Sequence, residues 1–196
     1  YNMREVDEIV FMDISATPEG TGPDLETVKD ISADCFAPLT VGGGVQRIQD
    51  VEDLLRSGAD KVSVNSAALA DPHLITEAAD RYGSQCIVVS IDVGTQSAIP
   101  FVFKNCGRLA TRWDPVEWAK EAESRGAGEI LLTSKEQDGT MAGYDLNLIQ
   151  SVTGAVRVPV IASGGCGCFE HMYEAVEIGG ASAIAAASIF HFTEQT

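Results

Sequence analysis

The stretch Val158–Cys168, VPVIASGGCGC, is an apolar run that ends in paired glycines. The stretch Ala37–Arg47, APLTVGGGVQR, repeats that design 121 positions earlier. Both read as a strand buried on its two faces that turns sharply at Gly-Gly. The same offset extends well beyond these runs. Ile9-Val10-Phe11-Met12-Asp13 falls on Ile130-Leu131-Leu132-Thr133-Ser134, Gly22-Pro23-Asp24-Leu25 on Gly143-Tyr144-Asp145-Leu146, and Pro38 on Pro159. One inserted residue later, Gly58-Ala59-Asp60 meets Gly180-Ala181-Ser182, and Ser66 meets Ser188. General similarity among βα units explains a period, but it does not explain matching Gly-x-Asp-Leu and Gly-Gly positions. The register therefore predicts an internal repeat, residues 8–67 and 129–189, made by duplication of a half-barrel.

Around the repeat, apolar runs at Glu8–Asp13, Pro38–Val41, Lys61–Val64, Ile87–Asp92, Glu129–Thr133, Val158–Ala162 and Ala183–Ala187 read as seven strands. Amphipathic helical stretches lie between most of them, at Asp24–Ser32, Ile48–Ser57, Asp71–Tyr82, Pro115–Arg125, Asp145–Thr153 and Phe169–Ile178. Gly94–Thr111 breaks the alternation and reads as a hairpin in a βα loop. Parallel strands alternating with helices in duplicated halves predict an α/β (βα)8 TIM-type barrel. Seven of its strands lie in a single partial domain, residues 1–196. The length and the 45% hydrophobic content suffice for one sizeable core.

The 13 Lys+Arg against 29 Asp+Glu give a formal charge of −16, which argues against nucleic acid and anionic membranes as partners. No apolar run is long enough for a membrane span, and the opening YNMREVDEIVF lacks the basic and apolar regions of a secretory signal. Five cysteines, Cys35, Cys86, Cys106, Cys166 and Cys168, make an odd count, and the Cys166/Cys168 spacing suits neither a disulfide nor a CxxC knuckle. Reduced thiols in a cytoplasmic protein are expected, with no metal and no cofactor.

An anionic ligand of so acidic a chain must be held by backbone N–H groups. Both Gly-Gly turns lie at C-terminal strand ends, where barrel active sites lie, together with SVNSAAL (Ser63–Leu69) and AAASIF (Ala185–Phe190). A glycine turn beside a small-residue helix start offers such N–H groups to phosphate. The plainer alternative is that the glycines only permit tight βα turns. Two repeat-related turns on opposite sides of one barrel mouth predict a substrate with a phosphate at each end.

The stretches VFMDISAT, PLTVGGGV, GADKVSVNSAA, LITEAADRYGSQCIVVSID, WAKEAESRGAGEILLTS, DGTMAGYDL, PVIASGG and AASIFHF resemble the cyclase subunit of imidazole glycerol phosphate synthase over essentially the whole chain. GGGV, GADKVSVN and YGSQ separate it from the sister isomerase that shares the duplicated barrel. The resemblance implies a lyase of histidine biosynthesis. It takes ammonia from a glutaminase subunit and a bis-phosphorylated formimino-aminoimidazole carboxamide ribonucleotide. It yields imidazole glycerol phosphate and aminoimidazole carboxamide ribotide. One phosphate is then expected at Gly44, Asn65 and Ser66, and the other at Gly139, Gly165, Ala187 and Ser188. The loss of water and the ring closure need acid/base groups. Of the family's two catalytic aspartates, the one after its fifth strand maps onto Asp138, the first choice here. Asp92 matches an active-site Asp that supports substrate and water. Asp13, Thr133 and Ser163 map to the mouth. For Asp13 and Asp92, N-capping of the following turn is the alternative.

Glu8, Lys61 and Glu129 stand just before apolar strands and are expected to form a salt-bridged ammonia gate, the alternative being a solvated charged rim. Asp60 matches a residue at the glutaminase contact, so a heterodimer is expected. Against the family pattern the chain begins just before the second strand and lacks the first βα unit and the last helix. Weak or no turnover is therefore expected from it as given. Glu136 and Gln137 replace the Asp and Arg of the family loop, and Ser182 replaces an Asp. That Ser is associated with paralogues that form an amidino group on surface-polysaccharide sugars, and this reading stays open. So does a non-catalytic, phosphate-binding barrel fragment.

Overall fold

The structure, a computed structural model, describes residues 6–191. Phe192, the last residue of the AASIFHF stretch, lies outside them. The described chain divides into two compact units. One runs to Val89 and takes in Arg125–Gly128; the other comprises Ser90–Ser124 and the chain from Glu129 on.

The first unit alternates strands β1 (Ile9–Met12), β2 (Leu39–Gly42) and β3 (Lys61–Val64) with helices α1 (Ala16–Glu19), α2 (Leu25–Asp34), α3 (Ile48–Arg56), α4 (Ser66–Ala70) and α5 (His73–Tyr82). It also holds the start of β4 (Ile87–Gln96). The strands pair in parallel, with Ile9 opposite Leu39, Thr40 opposite Lys61 and Val62 opposite Ile87. All four residues of β2 are buried, as a strand covered on both faces requires. Leu54, Val51, Ile75 and Val28 from the helices complete this core.

In the second unit β4 runs on into an antiparallel hairpin with β5 (Ile99–Lys104), which pairs β6 (Leu109–Ala110). Helix α6 (Pro115–Ser124), β7 (Glu129–Ser134), α7 (Leu146–Thr153), β8 (Val160–Ser163), α8 (Phe169–Glu177), β9 (Ala183–Ala185) and α9 (Ser188–His191) follow. Strands β7, β8 and β9 are parallel, with Ile130 opposite Val160 and Ile161 opposite Ala183. The fully buried Trp118 of α6 packs on Trp113, ring centroids 5.0 Å apart. The alternation is that of the α/β (βα)8 TIM-type class, with its hairpin excursion where the sequence predicts it.

The observed elements differ from the sequence reading mainly at helix starts. Asp24 and Asp145 are caps rather than first helical residues: each side chain accepts an N–H three residues on, from Thr27 at 3.1 Å and from Leu148 at 3.0 Å. Asp71 likewise accepts the His73 N–H, so α5 begins two residues later than expected. The four-residue helix α1 lies outside the stretches read as helical, since one turn shows no helical period, whereas α4 and α9 begin within the small-residue helix starts SVNSAAL and AAASIF.

Candidate active site

In the first unit the turn after β2 needs its glycines. Gly43 and Gly44 adopt φ of +101° and +69°, and a Cβ on Gly43 would lie 2.1 Å from the Asp13 carbonyl oxygen. The Gly44 N–H donates to Thr17 Oγ1 at 3.3 Å, a partner that no motif marks. Asn65 ends β3, and Ser66 opens α4, its hydroxyl 3.4 Å from Asn65 Oδ1. Asp13, just past β1, accepts the N–H and O–H of Ser15 and the N–H of Ala16, at 2.8–3.1 Å. The Ser15 hydroxyl above all holds its carboxyl below the usual range. The Asp13 carboxylate thus holds the turn that leads into α1, whose cap position is Ser15.

At the N-terminal ends of the same strands, Lys61 Nζ lies 2.8 Å from Glu8 Oε2, and the buried Thr40 donates its hydroxyl to Glu8 Oε1. Asp60 Oδ2 accepts the Leu39 N–H at 2.8 Å, which ties down the start of β2. Glu129 opens β7 and is half-buried, in the second unit.

The second unit holds the other predicted residues. Thr133 and Ser163 face each other in register near the ends of β7 and β8. Gly164 and Gly165 adopt φ of +89° and +104°, and a Cβ on Gly165 would lie 2.1 Å from the Gly143 carbonyl oxygen. Gly165 O accepts the Gly143 N–H at 2.8 Å, which joins the turn to the loop that carries Gly139. Tyr144 donates its hydroxyl to Ala185 O at 2.9 Å, just before Ala187 and Ser188 at the start of α9. Burial pushes the Tyr144 phenol and the Cys166 thiol up, so neither is poised to ionise. Ser182 sits at the start of β9, its N–H on Val160 O at 2.9 Å, away from any strand end that carries chemistry.

The two candidate acid/base aspartates differ. Asp138 is exposed, its N–H on Ser134 O at 2.9 Å, and it borders the Gly-Gly turn: a Cβ on Gly164 would lie 3.4 Å from the Asp138 Cα. Asp92 is half-buried within β4, which runs four residues past it, and lies directly opposite Phe103 of β5. Burial pushes its carboxyl up to about 6. Lys135 opposes that rise, the Asp138 charge adds to it, and Ser90 moderates it. Glu136 Oε1 accepts both the N–H and the O–H of Thr95, at 2.8 and 2.9 Å. Although burial works against it, this pair of bonds holds the Glu136 carboxyl below its usual value. Glu136 thus fastens the β7–α7 loop to the hairpin.

Among the described residues no helix is long and apolar enough to cross a membrane, and none of the five cysteines is joined in a disulfide. Parallel strands alternating with helices, with Gly-Gly turns after β2 and β8, define the class as a TIM-type barrel. The whole chain, residues 1–196, matches the histidine biosynthesis protein family, and the chain belongs to it. It is 53% identical to the imidazole glycerol phosphate synthase subunit HisF of Hyphomonas neptunium, over 194 residues that span 99% of this chain and 77% of that protein.

Proposed function

We propose that this chain is the cyclase subunit of imidazole glycerol phosphate synthase, acting in histidine biosynthesis. It uses ammonia to convert a bis-phosphorylated formimino-aminoimidazole carboxamide ribonucleotide into imidazole glycerol phosphate and aminoimidazole carboxamide ribotide. The observation that carries this reading is the 53% identity to a subunit of that synthase, together with Asp92, a half-buried carboxyl within β4 that its surroundings push up to about 6. A group of that proton affinity can both give and take a proton near neutrality, which water loss and ring closure require. Asp138, beside the second Gly-Gly turn, is the other carboxylate of the pair. The backbone N–H groups of Gly44, Asn65 and Ser66 hold one phosphate. Those of Gly139, Gly165, Ala187 and Ser188 hold the other. At the first of these, phosphate takes over the N–H that Gly44 now directs at Thr17.

The ammonia comes from a glutaminase subunit in a cytoplasmic heterodimer, docked against the strand starts that carry Asp60 and the Glu8–Lys61 pair; Glu129, at the start of β7, is the gate residue of the second unit. The test is ammonium-dependent turnover by the native chain and by Asp92→Asn. Loss of about 100-fold or more in kcat, with a bis-phosphate analogue still bound, is expected. Unchanged turnover in the variant removes Asp92 from the mechanism.

The same variant has a stability signature. Because the folded-state pKa of Asp92, about 6, lies above the ordinary 3.8, the folded chain keeps a proton that the unfolded chain has lost between those values. Stability contributed by this group is complete below about pH 4 and is lost as pH rises through 6. Asp92→Asn therefore gains on the order of 1–3 kcal/mol over the native chain at pH 7–8 and nothing below pH 4. Urea denaturation across that range reads it.

A further inference from the structure

Lys135 lies next to the proposed catalytic pair, and no step of the proposed chemistry uses it. It follows β7 directly, and its N–H donates to Val93 O of β4 at 2.9 Å. Its side chain crosses the hairpin through a gap left by two glycines. A Cβ on Gly94 would stand 3.2 Å from the Lys135 Cδ, and one on Gly107 would stand 2.8 Å from the Lys135 Cε. The ammonium ends 3.6 Å from the centroid of the Phe103 ring. Phe103 is the residue directly opposite Asp92 in the β4–β5 register. Directly opposed residues project on one face, with Cβ atoms on the order of 5 Å apart. The path of the lysine stem, the ring and the strand register thus bring one cation to the side of the sheet that carries Asp92.

We propose that Lys135 is a positioning residue: threaded between Gly94 and Gly107 and seated on Phe103, its ammonium sets how readily the Asp92 carboxyl gives and takes a proton. The aromatic face holds the ammonium without neutralising it, so the charge still acts on its neighbours. The charged and polar groups that bear on Asp92 are Lys135, Asp138 and Ser90, and Lys135 is the cation among these. Glu136 also feels Lys135, but it is committed to Thr95. The sign follows from this arrangement. A cation beside a carboxyl favours the ionised form, so removing it lets Asp92 keep its proton to higher pH. The glycines have a structural reason of their own here: the gap that admits the lysine closes if either gains a side chain.

This inference rests on the proposed role of Asp92, and the experiment separates the two. The native chain, Lys135→Met, Lys135→Arg and Gly94→Ala are compared, each by carboxyl-carbon NMR titration of Asp92 and by the pH dependence of ammonium-driven kcat/KM. Lys135→Met is expected to move the Asp92 titration, and the pH limb that follows it, to higher pH. Turnover near pH 6 falls by up to about tenfold, and the deficit closes at higher pH. Lys135→Arg restores the native values, while Gly94→Ala, which dislodges stem and ring together, shifts in the same direction as Met. An Asp92 titration unmoved in Lys135→Met overturns the proposal. So does a loss of turnover equal at every pH, which marks a merely structural side chain. Absence of turnover in every chain even after the family's first βα unit is added, with the Asp92 titration still moving, leaves Lys135 as assigned and counts against the cyclase reading instead.

Discussion

After β2, the turn at Gly43-Gly44 is held by a carboxylate: Asp50 Oδ2 accepts the N–H groups of Gln46 and Arg47, at 2.8 and 3.1 Å. After β8, 121 positions on, the residue in place of Asp50 is His171. Its Nδ1 accepts the N–H of Gly167, which stands in place of Gln46, at 3.1 Å. Other bonds keep the correspondence, at 121 or, past the one inserted residue, at 122. The Ile9 N–H to Pro38 O matches the Ile130 N–H to Pro159 O, both 2.9 Å. Ser32 Oγ on Ser57 O, at 3.2 Å, matches Thr153 Oγ1 on Gly179 O, at 2.9 Å. Backbone and glycines thus persist while the side chains that brace them have diverged. A braced turn is a geometric requirement, and several side chains can meet it. A turn where an added Cβ would lie 2.1 Å from a carbonyl oxygen leaves room for glycine alone.

The largest effects are therefore expected at the glycines, with a rank order that tests the equivalence of the two turns. In both, the first glycine faces the residue just past the preceding strand and the second faces the following loop. The tightest approach falls on the first glycine of one turn, Gly43, and on the second of the other, Gly165. At Gly44 and Gly164 an added Cβ would meet Ala16 Cβ and Ser134 O, each at 2.8 Å. Gly43→Ala and Gly165→Ala should each cost more than about 3 kcal/mol by urea denaturation, since a backbone oxygen cannot rotate away. Gly44→Ala and Gly164→Ala should cost less. A reversed order in either turn breaks the comparison. Loss of bis-phosphate binding in the milder pair, with stability largely kept, would tie the turns to the ligand.

The strands and the hairpin were legible because each writes itself locally: apolar runs of fixed length, a polar interruption at Gly94–Thr111. Helix starts were legible to within two residues, since the aspartates that cap them also resemble first-turn residues. The candidate site was legible only in part. Asp13, Asp92 and Asp138 share one sequence signature, an acid at or after a strand end. What separates them is tertiary. Ser15 folds back on Asp13, Asp138 stands exposed beside Gly164, and Asp92 is half-buried opposite Phe103. Lys135 gave no signal, because its path exists only once the hairpin brings Gly94, Phe103 and Gly107 around it. Tyr144 sat in a recognised stretch, but its bond to Ala185 spans 41 residues.

A middle-sized effect is expected where one half has a brace that the other lacks. Asp60 Oδ2 accepts the Leu39 N–H, and the matching position in the second half is Ser182. Both positions keep the backbone bond to the preceding strand, Asp60 N–H on Leu39 O at 2.8 Å and Ser182 N–H on Val160 O at 2.9 Å. Asp60→Ser copies the second half's solution into the first and gives up one charge-assisted bond. It should cost ~1–2 kcal/mol in urea denaturation. No measurable cost would mean that the backbone bond alone fixes the strand start in both halves.

The smallest expected effect is the exchange of braces themselves. His171 Nδ1 is a single acceptor, whereas a carboxylate offers two oxygens and suits the positive end of the nine-residue helix α8. Asp50 shows what the position can do, with two N–H groups on one oxygen and the Arg47 Nε 3.3 Å from the other. His171→Asp should therefore stabilise the second unit by about 0.5 kcal/mol, near 1–2 °C in Tm. The opposing factor is the ring's contact with the loop: a Cβ on Gly143 would lie 3.6 Å from the imidazole, so the ring fills space that an aspartate leaves open. A net loss in His171→Asp would show that His171 braces the Gly143–Gly165 junction by its bulk as well as by its nitrogen. The two turns would then be equivalent in backbone only, with the second built to keep its loop against the glycines.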